Sequence, residues 1–267
     1  MFKDFDNIEI ELFNYCNRTC WFCPNSFLDR KTSKEYMSEE TYLRLLQELK
    51  ENSFTGKISY SRYNEPFADS IFFERLKQAR EIFPDGELHT NTNGDYLNPS
   101  ILKTAEQSGL NSVNIQLYPQ EEYNRKEIFQ VYERLSTKCD ISARLVVNRA
   151  DRLEWHGKLD TMKVKFVGRN FEVNGTDRGG SLDRLRGKIR TKPCFRPSKD
   201  IYIDWNGNVM PCCNLRSDYS EHEWYILGNI NHTSLVNCLF NDHAKSFREE
   251  MLTDCAKKGA CRTCVFH

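Results

Sequence analysis

The stretch IEIELFNYCNRTCWFCP, residues 8–24, decides the fold. It opens as a strand-like apolar run, Ile8–Phe13, and passes directly into a loop carrying Cys16, Cys20 and Cys23. Three thiolates on one short loop can hold three corners of a 4Fe–4S cube and leave the fourth iron without a protein ligand. Such an open iron can chelate the amino and carboxylate groups of a methionine moiety. A zinc knuckle that borrows a fourth ligand from elsewhere is the alternative use of the same three cysteines.

Downstream of this loop, strand-like and helix-like runs alternate. Apolar runs follow at Lys57–Arg62, Glu87–Thr92, Ser112–Leu117 and Ile141–Asn148, with a sixth across Val164–Val173. Between them, Ser38 reads as an N-cap, with Met37 as a staple to Tyr42 and a Leu43/Leu46/Leu49 stripe behind it. Asn98 and Pro99 give a cap and a first-turn proline for a helix over Ser100–Ser108. Repeated βα units predict an α/β chain with a parallel sheet, and six of them suit a partial (β/α)6 barrel. Such barrels place their chemistry at the C-terminal ends of the strands, where the Cys16–Cys23 loop falls.

The alternation stops near Arg178-Gly179-Gly180, and a basic stretch, Arg184–Lys192, leads to Cys194. A hairpin follows, with strands Asp200–Trp205 and Asn208–Met210 around the turn pair Asn206-Gly207. The division expected is a barrel over residues 1–189 and a small cluster-binding appendage over 190–267.

Composition bounds the rest. The 267 residues are 39% hydrophobic and 28% charged, as in an ordinary globular protein. Lysine plus arginine equals aspartate plus glutamate at 38 each, so no charge excess points to nucleic acid or a membrane surface. No apolar run is long enough to span a bilayer, and the N-terminus lacks a signal-peptide pattern, so a cytoplasmic location is expected. In that reducing setting the eleven cysteines read as metal ligands or redox groups rather than as disulfides. Three lie in the first loop, seven between Cys194 and Cys264, and Cys139 stands alone.

The Cys16-x3-Cys20-x2-Cys23 loop resembles the signature of the radical S-adenosylmethionine superfamily. Phe22 matches the aromatic that members place beside the adenine. Tyr63-Asn64-Glu65-Pro66 falls where relatives carry a Gly-Gly-Glu-like segment that binds the methionine amino group, with Asn64 in place of a glycine and Glu65 retained. His89-Thr90-Asn91-Thr92-Asn93-Gly94 is similar to the family's Thr-Asn-Gly element. Gln116 and Arg144 fall where relatives bind ribose hydroxyls and carboxylate. Each polar residue alone also reads as a satisfied strand terminus.

The second cysteine group is similar to the auxiliary-cluster extension called SPASM, or its shorter twitch form. Seventeen residues separate Cys194 from Cys212, and four separate Gly207 from Cys212. The resemblance implies one auxiliary 4Fe–4S cluster ligated by Cys194, Cys212, Cys261 and Cys264; a four-cysteine zinc site is the bland reading. Cys213 adjoins a ligand. Alternation points it the opposite way, as a small buried hydrophobe or as a catalytic thiol facing the barrel mouth. Cys255 is a substitute ligand, and Cys238 most simply belongs to the core.

The superfamily resemblance implies reductive cleavage of S-adenosylmethionine to a 5′-deoxyadenosyl radical that abstracts hydrogen from substrate. It also implies two 4Fe–4S clusters and a flavodoxin- or ferredoxin-like electron donor. Length, a single auxiliary cluster and the seventeen-residue spacing are similar to twitch-type aminocyclitol dehydrogenases. The expected reaction is therefore oxidation of a small polar, sugar-like molecule. Epimerisation with Cys213 as hydrogen donor and modification of a ribosomal peptide are the alternatives. A zinc-binding scaffold without catalysis is the reading from another class.

Overall fold

The computed structural model describes residues 1–119 and 122–265. In chain order its elements are β1 (Asn7–Ile10), α1 (Glu39–Glu51), β2 (Lys57–Ser59), α2 (Ile71–Ile82), β3 (Leu88–Thr92), α3 (Pro99–Gln107), β4 (Ser112–Gln116) and α4 (Arg125–Cys139). There follow β5 (Ala143–Asn148), β6 (Arg152–Leu159), β7 (Met162–Arg169), α5 (Phe171–Asn174), α6 (Arg196–Lys199), β8 (Asp200–Ile203), β9 (Asn208–Met210), β10 (Gly228–Asn229), α7 (Leu235–Phe240) and α8 (Asp242–Leu252). They group into two compact units, Met1–Asn64 with Thr176–His267, and Glu65–Gly175. No helix among the described residues is long and apolar enough to cross a membrane.

In the first unit, β8 and β2 flank β1 and run parallel to it, while β9 and β10 continue antiparallel beyond β8. The first strand of the expected hairpin thus joins β1, in the register Ile8↔Ile201 and Ile10↔Ile203. These four side chains are buried, and the pleat sends Glu9 and Glu11 to the other face. The hairpin turn forms as expected: Gly207 takes φ +82°, and the Asp204 carboxylate accepts from the N–H groups of Asn206 and Asn208 at 2.9 and 2.8 Å. Ser38 caps α1 by accepting from the Thr41 N–H at 3.1 Å. The buried stripe of α1 is Tyr42, Leu45, Leu46 and Leu49. Leu43, expected in that stripe, is only half-buried because it lies off the 3.6-residue face, which is centred between Tyr42 and Leu49.

A buried carboxylate holds this unit together. Glu11 is wholly buried, and its oxygens accept from the Tyr63 N–H at 3.0 Å and the Tyr202 hydroxyl at 2.7 Å. Arg30, 4% exposed, stands 3.2 Å from the same carboxylate and reaches Asp218 at 2.8 Å. Arg216, also buried, grips Asp218 at 2.6 Å and donates to the Asn25 side chain at 2.9 Å. Asn25 in turn donates to the Tyr63 carbonyl at 2.8 Å. Against the cost of burial, Arg216 and Arg30 hold the Asp218 carboxyl down at about 2. The circuit joins β1, the end of β2, β8 and both ends of the cysteine loop, because the Cys16 N–H donates to the Arg30 carbonyl at 2.9 Å.

In the second unit, β3, β4 and β7 are parallel neighbours, and β7, β6 and β5 form an antiparallel meander. The expected fifth parallel strand, Ile141–Asn148, is therefore the antiparallel edge strand β5. Short turns at residues 149–151 and 160–161 join β5 to β6 and β6 to β7, and a parallel return needs a crossover of a dozen residues or more. The place beside β4 goes instead to β7, the structured core of the expected sixth run. Asn98 caps α3 by accepting from the Ile101 N–H at 2.9 Å, with Pro99 in the first turn.

Replacing Arg30 by Met should strand the Glu11 carboxylate and lower stability by about 3–5 kcal/mol, the usual cost of breaking a buried pair. Denaturant midpoints of the loaded protein read this directly. Adding Glu11→Gln should recover part of the loss, since the amide oxygen still accepts from the Tyr63 N–H while its NH2 donates to the Tyr202 hydroxyl. Equal stability of wild type and Arg30→Met would show that the circuit contributes nothing.

Candidate functional site

The cysteine loop follows β1 and doubles back on itself. Besides the Cys16 bond to Arg30, the Cys23 N–H donates to the Cys20 carbonyl at 2.9 Å. Pro24 then opens a single 3-10 turn, Pro24–Ser26, whose last N–H donates to the Cys23 carbonyl at 2.9 Å. All three thiols are half-buried. Phe22 is buried and meets Trp21 edge to face, centroids 5.5 Å apart, and the Arg184 guanidinium lies 4.3 Å over the Trp21 ring. Three thiols at different points of one turn, held by backbone bonds, fit a cluster that takes three protein ligands.

Cys194, Cys212, Cys261 and Cys264 line one cavity of the same unit, walled by Leu215, Phe247 and Met251. Local bonds deliver each one. The Cys194 N–H donates to the Met251 carbonyl at 2.8 Å at the end of α8, and the β8–β9 hairpin delivers Cys212. The 3-10 turn Gly259–Cys261 delivers Cys261, and Arg190 ties this strand of chain to the Cys194 side through Arg262 at 2.7 Å and Pro193 at 2.6 Å. Burial, with Cys264 and Cys194 close by, pushes the Cys261 thiol up to about 12. A thiol in that setting keeps its proton until a cation takes the sulfur.

The donor set is sulfur only, which suits iron–sulfur clusters or zinc. Tetrahedral zinc, with bonds of about 2.3 Å, would draw its sulfurs to about 3.8 Å from one another. Among the described residues no group of three or more His, Cys, Asp or Glu is placed to hold a single metal ion. Four thiols lining one cavity fit a cube of iron and sulfide.

Cys213 lies just beyond β9, half-buried, with its carbonyl accepting from the Tyr63 hydroxyl at 3.2 Å. Its thiol is held well below the ordinary range by a hydrogen bond from Cys212 and, against burial, by Arg62, Arg178 and Arg196. Once Cys212 is committed as a ligand it has no proton to give, and the three cations remain as what favours a Cys213 thiolate. Cys255 is exposed and does not line the cavity, whereas Cys238 and Cys139 are buried in helices. Asn64, at the end of this unit, accepts from the Arg62 N–H at 3.2 Å.

In the second unit, Glu65 is 2% exposed. It accepts from the Thr92 hydroxyl at 2.6 Å and from the N–H groups of Asn93 and Phe67 at 2.8 and 3.3 Å. Burial nonetheless pushes its carboxyl up to about 7, these donors offsetting part of the rise. One face of the sheet carries a polar row. Asn91 accepts from Asn114 at 3.1 Å and from Gln116 at 3.2 Å, and Arg169 donates to Gln116 at 3.1 Å. Asn93 is buried, its side chain accepting from the Asp95 N–H at 2.9 Å.

Arg144 does not join this row. It is exposed on β5, opposite His156. The arginine beside Gln116 is Arg169 at the end of β7, which the sequence reading missed because it expected β5 next to β4. The missed signal was the alternation on either side of Asp160-Thr161, which marks β6 and β7 as a hairpin. Asn114 was legible by the same rule, two residues before Gln116 on one strand face.

In comparison with known proteins, one family model covers each of the two cysteine-bearing stretches. The model of the radical SAM superfamily matches residues 10–131, and that of the SPASM iron–sulfur cluster-binding domain matches residues 194–265. The chain is 28% identical over 267 residues to the S-adenosyl-L-methionine-dependent 2-deoxy-scyllo-inosamine dehydrogenase of Niallia circulans, covering 99% of this chain and 94% of that one. The crystal structure of BtrN in complex with AdoMet and 2-DOIA superposes with a TM-score of 0.71 at 26% identity, covering 100% of this chain and 95% of that one. Native anSMEcpe with bound AdoMet shares the fold alone, at a TM-score of 0.53 and 13% identity over 92% of this chain and 83% of that one. The chain belongs to the radical S-adenosylmethionine superfamily, an enzyme with a SAM-binding 4Fe–4S cluster and an auxiliary cluster in a C-terminal SPASM domain.

Proposed function

We propose that this enzyme is a radical dehydrogenase that oxidises a ring alcohol of an aminocyclitol-like molecule. The observation that carries the proposal is the four-thiol cavity. A cluster ligated at all four corners by cysteine has no open iron to grip substrate and is left with an electron-accepting role. The end-to-end likeness to a 2-deoxy-scyllo-inosamine dehydrogenase supports the substrate class. When bound, S-adenosylmethionine on its cluster supplies hydrogen abstraction, and the auxiliary cluster supplies an electron sink. For the substrate the balance is loss of one carbon-bound hydrogen atom, then of the hydroxyl proton and one electron, leaving a ketone.

The chain's own residues take the remaining tasks. We assign Cys16, Cys20 and Cys23 to the SAM-binding cluster and Cys194, Cys212, Cys261 and Cys264 to the auxiliary one. Phe22 packs on the adenine, and Asn64 and Glu65 receive the methionine ammonium. Asn91, Asn93 and Gln116 hold ribose hydroxyls, and Arg169 takes the carboxylate-binding task that the sequence reading gave to Arg144. Residues 1–189 would form the catalytic body and 190–267 the auxiliary appendage. The reduced thiols of both sets suit a cytoplasmic enzyme served by a flavodoxin- or ferredoxin-like donor.

A second reading has one observation in its favour. Cys213 is half-buried next to the ligand Cys212 and, in its thiol form, could return a hydrogen atom, which would turn oxidation into inversion, although the nearby cations favour the thiolate. Incubation with 2-deoxy-scyllo-inosamine in deuterated water separates the two. Oxidation gives a product two mass units lighter with no deuterium at the reacting carbon, and Cys213→Ala retains most of the turnover. An isomer of unchanged mass apart from one deuterium, lost in Cys213→Ala, would establish inversion instead.

Glu65 gives a second test. With its carboxyl near 7 in the free protein, it is protonated on the acid side, and an incoming ammonium must displace that proton. Affinity for S-adenosylmethionine should therefore rise up to about tenfold per pH unit from 6 towards 7 and level off near 8. The same linkage makes folding stability fall as pH rises from the ordinary carboxylate range through 7, because the raised group binds its proton in the folded state. Glu65→Gln should bind more weakly with a flat profile. An unchanged slope in that variant would remove Glu65 from ammonium binding.

A further inference from the structure

Asn214 is 2% exposed and touches more of the auxiliary site than any sequence motif announces. Its backbone N–H donates to the Cys212 sulfur at 3.5 Å, and its side-chain amide N–H donates to the Cys264 sulfur at 3.8 Å. The amide oxygen accepts from Arg62 at 3.3 Å, from the Thr176 hydroxyl at 3.0 Å and from Arg178 at 3.2 Å. Three donors on the oxygen, two of them guanidinium groups, fix which end of the amide faces the sulfur. A flipped amide would put its NH2 against two cations.

The chemistry of this arrangement is directional. Two guanidinium groups and a hydroxyl draw electron density towards the amide oxygen and make the opposite N–H a better donor. A donor aimed at a thiolate ligand withdraws charge from the cluster and favours its reduced, more negative state. We infer that Asn214 is a positioning residue that raises the reduction potential of the auxiliary cluster through its side-chain N–H on Cys264. The inference rests on the reading of Cys194, Cys212, Cys261 and Cys264 as the ligand set, and it is independent of the substrate's identity.

The test is a redox titration followed by electron paramagnetic resonance on the full-length protein. Cys16, Cys20 and Cys23 are changed to Ala so that the cluster observed is the auxiliary one. Asn214→Ala, at the same iron content, should move the midpoint to more negative potential. Asn214→Asp, nearly identical in shape but facing the sulfur with an oxygen, should move it further in the same direction. An unchanged midpoint in either iron-loaded variant overturns the inference. Should both fail to take up iron, Thr176→Val reads the same network from the far side of the amide. There a smaller negative shift sustains the inference and an unchanged midpoint overturns it. If the triple-alanine protein with Asn214 intact binds no iron, the ligand assignment itself is wrong and the inference falls with it.

Discussion

The ion pair between Glu11 and Arg30 is the constraint on which the first unit depends. A carboxylate with no exposure to water costs several kcal/mol unless its lone pairs are taken. Here a backbone N–H and a tyrosine hydroxyl donate to them, and the Arg30 guanidinium balances the charge from 3.2 Å. Each partner comes from a different part of the chain, so the charge is satisfied only when β1, the end of β2, β8 and the cysteine loop are all in place. Arg30 passes the constraint on in two directions: its carbonyl accepts from Cys16, and its guanidinium reaches Asp218 and through it Arg216 and Asn25. The loop that presents three thiols is therefore positioned by buried charge as well as by the packing of Phe22 and Cys23.

The C-terminal thiols are held differently. Tyr63, Tyr202, Met210, Leu215, Tyr225, Phe247 and Met251 form an apolar cluster against which Cys23, Cys194, Cys212, Cys213 and Cys261 pack. These cysteines thus share one hydrophobic support. It keeps water from the sulfurs, and the arginines placed nearby offset the negative charge of thiolate ligands. Arg62 and Arg178 meet at the Asn214 oxygen, so polar order around Cys264 and the placement of two cations are one feature.

Much of this was legible in the sequence because it is local. The β1 run and the Cys16–Cys23 loop lie within seventeen consecutive residues. The Ser38 and Asn98 caps act over three residues, and the Asn206-Gly207 turn joins adjacent strands. What the sequence hid is non-local. Glu11 and Arg30 read as ordinary charges, since nothing in a local pattern says that Glu11, alternating with isoleucines, points into the protein. The pairing of β8 with β1 joins residues about 190 positions apart. Arg169 was missed and Arg144 preferred because an antiparallel meander after α4 moves the next parallel strand to β7. Asn214 carried no signal beyond its place two residues after Cys212.

A Mössbauer spectrum of the anaerobically reconstituted, iron-57-loaded enzyme, with and without S-adenosylmethionine, tests the central claim most directly. Two 4Fe–4S clusters, one with an open iron and one fully held by cysteine, predict about eight irons per chain. One iron among them should change its signal when the cofactor binds, and the other seven should not. Iron for a single cluster, or a second cluster that also yields an altered iron on cofactor addition, would contradict it.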